Sequence, residues 1–200
     1  MSDSLSRRKL ARRAARLALS RGSALPFLVL MTDDERLPDP IRAARALPPG
    51  SMVVVRSRED GRRKALAEEM MKVARARGLV VLIAGDAALA LALGADGVHL
   101  SEARIGEAAQ LRARHPLIVT AAVHSLCALR RTRALDAVFL SPVFPTASHP
   151  ERKALSPMRA AAIVRLAGVP VYALGGVDAG NAGRLTGFSG IAAIGALAVP

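Results

Sequence analysis

The chain has 200 residues, of which 52% are hydrophobic and 16 are glycine, with one cysteine, Cys127. Such a length fills one core, a lone cysteine excludes an internal disulfide framework or a thiolate zinc cage, and no uncharged apolar run reaches the ~18 residues of a membrane span. A net charge of +13 attracts polyanions, but only Lys9, Lys64, Lys72 and Lys153 are lysines and aromatics are 2% of the chain with no Trp, which leaves few platforms for stacking bases. Nucleic acid is therefore not an expected partner, the arginine excess being what a GC-rich genome produces without selection for binding, and the expected setting is reducing and cytoplasmic.

The first predicted element is a basic helix within an N-terminal extension, residues 1–24. In "SLSRRKLARRAARLALSR", residues 4–21, Leu5, Leu10, Ala14, Leu17 and Ala18 can share one helical face. An Arg-rich, acid-poor segment also describes a transit peptide or a membrane-surface helix. Its small apolar side chains make a shallow face, which favours a solvated helix leaning on the domain.

Residues 25–200 then alternate. Apolar runs begin at "FLVLM" (27), "MVVVR" (52), "LVVLIA" (79), "DGVHL" (96), "LIVTAA" (117), "AVFLS" (137), "VPVYALGG" (169) and "GIAAIGA" (190). Between them lie helical patterns such as "RRKALAEEMMKVARARG", "AALALALG", "GEAAQLRARHP" and "SLCALRRTRALD", several stopped by Gly or Pro. Continuous apolar runs suit strands buried on both faces of a parallel sheet. Eight alternations of strand and helix predict a (β/α)8 TIM barrel rather than an open doubly wound sheet.

In such a barrel the chemistry sits in the loops at the C-terminal strand ends. That rule gathers Arg56 after the second strand, His99 near the end of the fourth, His124 after the fifth, and Ser141 to His149 after the sixth. The last group lies in "FLSPVFPTASHP", where three prolines predict an ordered, extended loop carrying Ser141, Thr146, Ser148 and His149. Gly175, Gly176 and Gly195 open the loops after the last two strands, where backbone N–H groups can approach a phosphate closely. Each signal has a plainer alternative: a tight turn for Gly175–Gly176, an ion pair with Glu59 for Arg56, and a satisfied core position for His99. His115 reads as a solvated helix cap and Cys127 as small apolar filler at a helix start.

"ADGVHL", "SPVFPT", "ALGGV" and "GFSGIAAIGAL", with "PFLVLMTDD" on the first strand, resemble the thiamine phosphate synthase family, including its thiazole tautomerase branch. The resemblance implies the same barrel, with a thiazole phosphate held by the loops after the last two strands, at Gly175, Gly176 and Gly195. It also implies that the loop after the sixth strand closes over a pyrimidine diphosphate through Thr146 and Ser148, with His149 where the family carries lysine.

Several positions depart from the synthase pattern. Its Asn-Asp after the third strand, whose aspartate binds magnesium, is here Ala84-Gly85 with Asp86 one step late, and its second magnesium aspartate falls on Arg104. Its Gln-x-Arg-x-Lys survives as Val54, Arg56 and Arg58. Two of the hard oxygen donors that a magnesium diphosphate needs are thus missing, and with them the main stabilisation of a departing diphosphate. "AVHSL", residues 122–126, is similar to the tautomerase branch, in which a histidine at the His124 position moves a proton on the thiazole phosphate without a metal.

Three readings follow. The first is a metal-free tautomerase acting through His124. The second is a diverged synthase with magnesium on Asp33, Asp34 or Asp86, and the third a non-catalytic binder of a phosphorylated ligand. The family's closing helix after the eighth strand is expected to be absent or vestigial, leaving an apolar flank for the N-terminal helix or the partner subunit of a homodimer to cover.

Overall fold

The computed structural model describes residues 2–21, 24–146 and 153–199. Eight parallel strands close on themselves in chain order: β1 (Leu28–Met31), β2 (Met52–Val55), β3 (Val80–Ala84), β4 (Gly97–Leu100), β5 (Ile118–Val123), β6 (Ala137–Leu140), β7 (Val171–Ala173) and β8 (Gly190–Ala193). Closure is completed by β1 pairing with β8, Val29 opposite Ala192. The result is the (β/α)8 barrel that the alternation predicts. Six of these strands are buried along their whole length, as runs of Val, Leu, Ile and Ala require when both faces are covered.

Two apolar layers result. Outward-facing strand residues such as Leu30, Val53, Val81 and Val98 pack under the helices. Inward-facing Val29, Met31, Met52, Val54, Leu82, Phe139 and Tyr172 fill the barrel itself. Burying a large side chain of this kind contributes about 1.5–3 kcal/mol, so the interior is a packed plug on which the mouth rests. At the opposite, N-terminal end, carboxylates splint the strands. Asp96 accepts from Val81 N–H at 2.7 Å and Asp136 from Val119 N–H at 2.8 Å.

The helices are α1 (Ser2–Arg21), α2 (Pro40–Arg45), α3 (Asp60–Arg77), α4 (Ala87–Leu93), α5 (Ala108–Arg114), α6 (Leu126–Leu129) and α7 (Pro157–Arg165). Helix α5 ends at His115, whose N–H caps the Leu111 carbonyl and whose side chain is half-buried. Short 3-10 turns, Ala182–Arg184 and Gly195–Leu197, stand where full helices would follow β7 and β8. The segment "SLCALRRTRALD" yields only the single turn of α6, with Cys127 exposed rather than buried as filler.

Helix α1 covers the flank left by the short turn after β8, packing on β1, β8 and both 3-10 turns. Leu10, Ala14 and Leu17 are buried there, whereas Leu5 is 65% exposed and does not belong to the contact face. Arg13 fastens the helix by donating to the carbonyls of Ala182 (3.1 Å), Gly183 (3.2 Å) and Leu185 (2.5 Å). Arg7 does the same at Ala198 (3.1 Å). Among the described residues no helix is long and apolar enough to cross a membrane.

Candidate functional site

The C-terminal strand ends converge on one mouth, and its two sides differ. On the β1–β4 side every candidate charge has a partner. Thr32, 1% exposed, accepts from Arg56 N–H (2.7 Å) and donates to Arg56 O (2.8 Å), tying the ends of β1 and β2 together. The Arg56 guanidinium pairs with Asp33 at 3.0 Å, not with Glu59. Asp33 also accepts from Arg36 at 2.6 Å. Burial pushes the Asp33 carboxyl up, but the Arg36 side chain and the backbone N–H groups of Arg36 and Glu35 outweigh it and hold the group below its ordinary value.

Asp34 is held low first by the Arg58 N–H and further by Ser57 and Arg62. Asp86 caps α4 by accepting from Leu89 N–H at 2.8 Å and faces Arg63 at 3.5 Å. Arg104 reaches across from the segment after β4 to the loop after β3. Its Nη1 donates to Gly85 O at 2.5 Å, while Nε and Nη2 form a fork on Glu107, each at 2.7 Å.

These contacts test the fit of magnesium. Asp33, Asp34 and Asp86 already serve guanidinium or backbone donors, and Arg104 puts a cation beside Gly85. Among the described residues no group of three or more His, Cys, Asp or Glu side chains could hold a metal ion. Magnesium is held through one or two free carboxylates, its remaining positions filled by water and substrate phosphates, and with Asp33, Asp34 and Asp86 each engaged these residues do not fit one.

His99 lies beneath the mouth, 6% exposed. Its Nδ1 is 2.9 Å from Thr120 Oγ1 and its ring leans on Phe139, with centroids 4.7 Å apart. Burial, reinforced by repulsion from Arg56 and His124, pulls its pKa from 6.5 down to about 3. It is therefore neutral at physiological pH, a floor to the site rather than a proton carrier.

The β5–β7 side has uncommitted chemistry. His124 follows β5 and is exposed. Its Nδ1 lies 2.9 Å from the carbonyl of Ser141 and 3.2 Å from Ser141 Oγ. A carbonyl only accepts, so Nδ1 carries the hydrogen and Nε2 of the neutral ring keeps its lone pair. Glu102, a residue the sequence reading did not single out, fixes the loop from the other side. It accepts from His124 N–H at 2.5 Å and from Ser125 Oγ at 3.2 Å. Its place just after β4 is the same signal that selected the other candidates.

The described part of the proline-rich loop after β6 is held through its apolar residues. Val143 and Phe144 are buried, and their N–H groups donate to Leu174 O (3.0 Å) and Gly175 O (3.1 Å), extending the β6–β7 pairing past the strands. This contact explains Gly175 and Gly176. A Cβ on Gly175 would meet Pro142 Cα at 2.8 Å, one on Gly176 would meet Pro145 O at 2.3 Å, and both have positive φ, +87° and +63°. Among the described residues no acceptor takes the N–H of Gly175, Gly176 or Gly195. Beyond Gly176 the chain turns on Asp178, which accepts from Gly180 N–H and Asn181 N–H, while Asn181 Nδ2 returns to Gly176 O at 2.6 Å. Thr146 is half-buried at the end of this loop; Ser148 and His149 lie outside the described residues.

A model of one protein family, thiamine monophosphate synthase, matches residues 28–197. The thiamine-phosphate synthase of Chromobacterium violaceum is 35% identical over 166 residues, 78% of this chain and 79% of that protein. That of Helicobacter pylori is 32% identical over 140 residues, 67% of this chain and 64% of that protein. The matched stretch spans less than two thirds of some relatives' own length, 61% in one and 64% in another. In fold, the thiamine phosphate pyrophosphorylase of Pyrococcus furiosus superposes with a TM-score of 0.69 at 24% identity, over 84% of this chain and 85% of that one. With a parallel barrel closed in chain order and a family match running from β1 to the turn after β8, the chain belongs to the thiamine monophosphate synthase family of thiamine biosynthesis.

Proposed function

We propose that this barrel binds a thiazole phosphate at its mouth and moves a proton on it through His124. The observation that carries the reading is the His124 ring, with Nδ1 committed to the Ser141 carbonyl and Nε2 left with its lone pair on an exposed edge. One nitrogen removes a proton and the same nitrogen returns it elsewhere on the ligand, so the product is an isomer and atoms and charge balance. An imidazole suits this because it exchanges protons near neutral pH. The phosphate would be gripped by the N–H groups of Gly175, Gly176 and Gly195. The carboxylates available on the other side favour this reading over diphosphate displacement, since each is engaged by arginine or backbone donors.

The relatives support a second reading. Those compared above are named thiamine-phosphate synthases, and a transferase joining a pyrimidine diphosphate to the thiazole phosphate would use the same mouth. One experiment separates the two. The protein is incubated with thiazole phosphate in deuterated water and followed by NMR, and in parallel with pyrimidine diphosphate and thiazole phosphate, with and without magnesium, for thiamine phosphate. Deuterium exchange and isomerisation without added metal support proton transfer. Magnesium-dependent thiamine phosphate without exchange replaces it with the synthase reading, and binding without turnover in either assay leaves a ligand-binding barrel.

A further inference from the structure

We propose that the Arg104 guanidinium takes the place of a divalent cation at the mouth, so that the site recognises its phosphorylated ligand through a fixed organic cation and without magnesium. The inference rests on the mouth being the phosphate site, but not on which reaction runs there.

The geometry is specific. Arg104 bridges the two loops after β3 and β4, donating from Nη1 to Gly85 O and from Nε and Nη2 to the two Glu107 oxygens. The Glu107 fork fixes the plane of the guanidinium and makes its positive form harder to lose, while Arg104 in turn holds the Glu107 carboxyl below its ordinary value. Three of the five N–H bonds of a guanidinium are thereby used. Among the described residues no acceptor takes the other two, one on each terminal nitrogen, and the side chain is 43% exposed. A planar pair of donors matches two oxygens of a phosphoryl group, the ligand class for which arginine is the preferred fixed charge.

The surroundings exclude a metal at the same place. The Gly85 carbonyl, an oxygen an ion could use, already accepts from Arg104. A carboxylate side chain at position 85 would have its Cβ 3.5 Å from Arg104 Nη1, and Gly85 has φ +72°. Asp86, the next carboxylate along, is turned into the α4 cap and toward Arg63. A dication entering here would meet the guanidinium charge before it met a free oxygen.

The test uses the full chain and two probes. Free manganese is followed by EPR during titration with protein, and inorganic phosphate binding is measured by calorimetry in EDTA and again with excess magnesium. The expected results are no saturable manganese binding, phosphate affinity equal within about twofold in the two buffers, and a loss of about tenfold in R104A with an unchanged melting temperature, as for one lost charge-assisted contact. The variant R104D, which removes the cation and adds an oxygen donor, is expected to gain manganese binding. Saturable manganese binding by the unmodified chain that is lost in D86N would overturn the proposal, as would phosphate binding that requires magnesium. Phosphate affinity unchanged in R104A would overturn the proposal while leaving the glycine grip of the proposed function standing, and phosphate bound in neither buffer would overturn both.

Discussion

The two sides of the barrel mouth are built on opposite terms. From β1 to β4, side chains of adjacent loops neutralise one another: Asp33 with Arg36 and Arg56, Asp34 with Arg62, Asp86 with Arg63, and Arg104 with Glu107. From β5 to β8, the contacts that hold the loops are mainly backbone ones, Val143 to Leu174 and Phe144 to Gly175, and they leave an imidazole edge exposed and the N–H groups of Gly175, Gly176 and Gly195 without an acceptor among the described residues. A charge already paired has little left for a ligand, whereas a loop held by its backbone keeps its side chains available. Chemistry is thus expected on the second side and rigidity on the first, with Arg104 as the exception whose donors are only partly used.

Breaking the second side has the largest expected effect. Replacing His124 by Ala removes the proposed base, and a rate loss of about 10²–10⁴-fold is expected, the usual contribution of a positioned general base. Urea unfolding is expected to change little, because the ring is exposed. Isomerisation at an undiminished rate in H124A would remove His124 from the mechanism. Next comes G176A, whose Cβ would lie 2.3 Å from Pro145 O on a residue with φ +63°. Backbone strain and displacement of the loop together cost about 2–4 kcal/mol, read as a lower urea midpoint. A loss below about 0.5 kcal/mol would show that the β6 and β7 loops are not locked together as their geometry requires.

The strands were legible because each is a short apolar run, and a run buried on both faces looks the same in sequence wherever the barrel places it. Helix positions were less so. In "SLCALRRTRALD" the spacing of Leu126, Leu129 and Leu135 suggests a longer helix, but Thr132 turns its hydroxyl onto Leu129 O at 2.7 Å and accepts Leu135 N–H on its own carbonyl, so the chain turns instead. After β7, Asp178 and Asn181 do the same. The rule of strand ends placed Arg56, His124, Ser141, Gly175, Gly176 and Gly195 around one mouth. It could not supply their partners, since Asp33 and Arg56 are 23 residues apart and Glu102 and His124 are 22. Such pairs follow from the register of neighbouring strands, which no local pattern records.

On the first side, D33N sharpens the comparison. Asp33 is 10% exposed in its side chain and anchors two guanidinium groups that are each about a third exposed. Losing its charge is expected to cost about 1–2 kcal/mol, the range of a hydrogen bond to a charged group after allowance for solvent around the arginines. Phosphate affinity is expected to hold or rise, because Arg56 is released toward the mouth. A fall in affinity with unchanged stability would mean that Asp33 belongs to the ligand site and that the first side is not merely scaffolding.

The last effect lies beneath both sides, at His99, and shows only as the pH falls. Its pKa in the folded chain is about 3 against an ordinary 6.5, so between these values the unfolded chain takes up a proton that the folded chain refuses. Stability from this residue is fully present above pH 6.5 and falls as the pH drops below it, by about 1.4 kcal/mol at one unit lower. Asp33 and Asp34 have folded pKa values below 3.8, so their contributions are lost only as the pH falls below that value. A window from about pH 6.5 to pH 5.5, which also stays clear of the Glu107 carboxyl with its ordinary value of 4.5, therefore isolates the histidine. Urea midpoints measured across that window are expected to fall with pH in the unmodified chain and to fall less in H99Q, which can keep a hydrogen bond to Thr120 without the titration. Equal slopes in the two proteins would mean that water reaches His99 from the mouth, and that the plug of Phe139 and Tyr172 does not seal the barrel from the site above it.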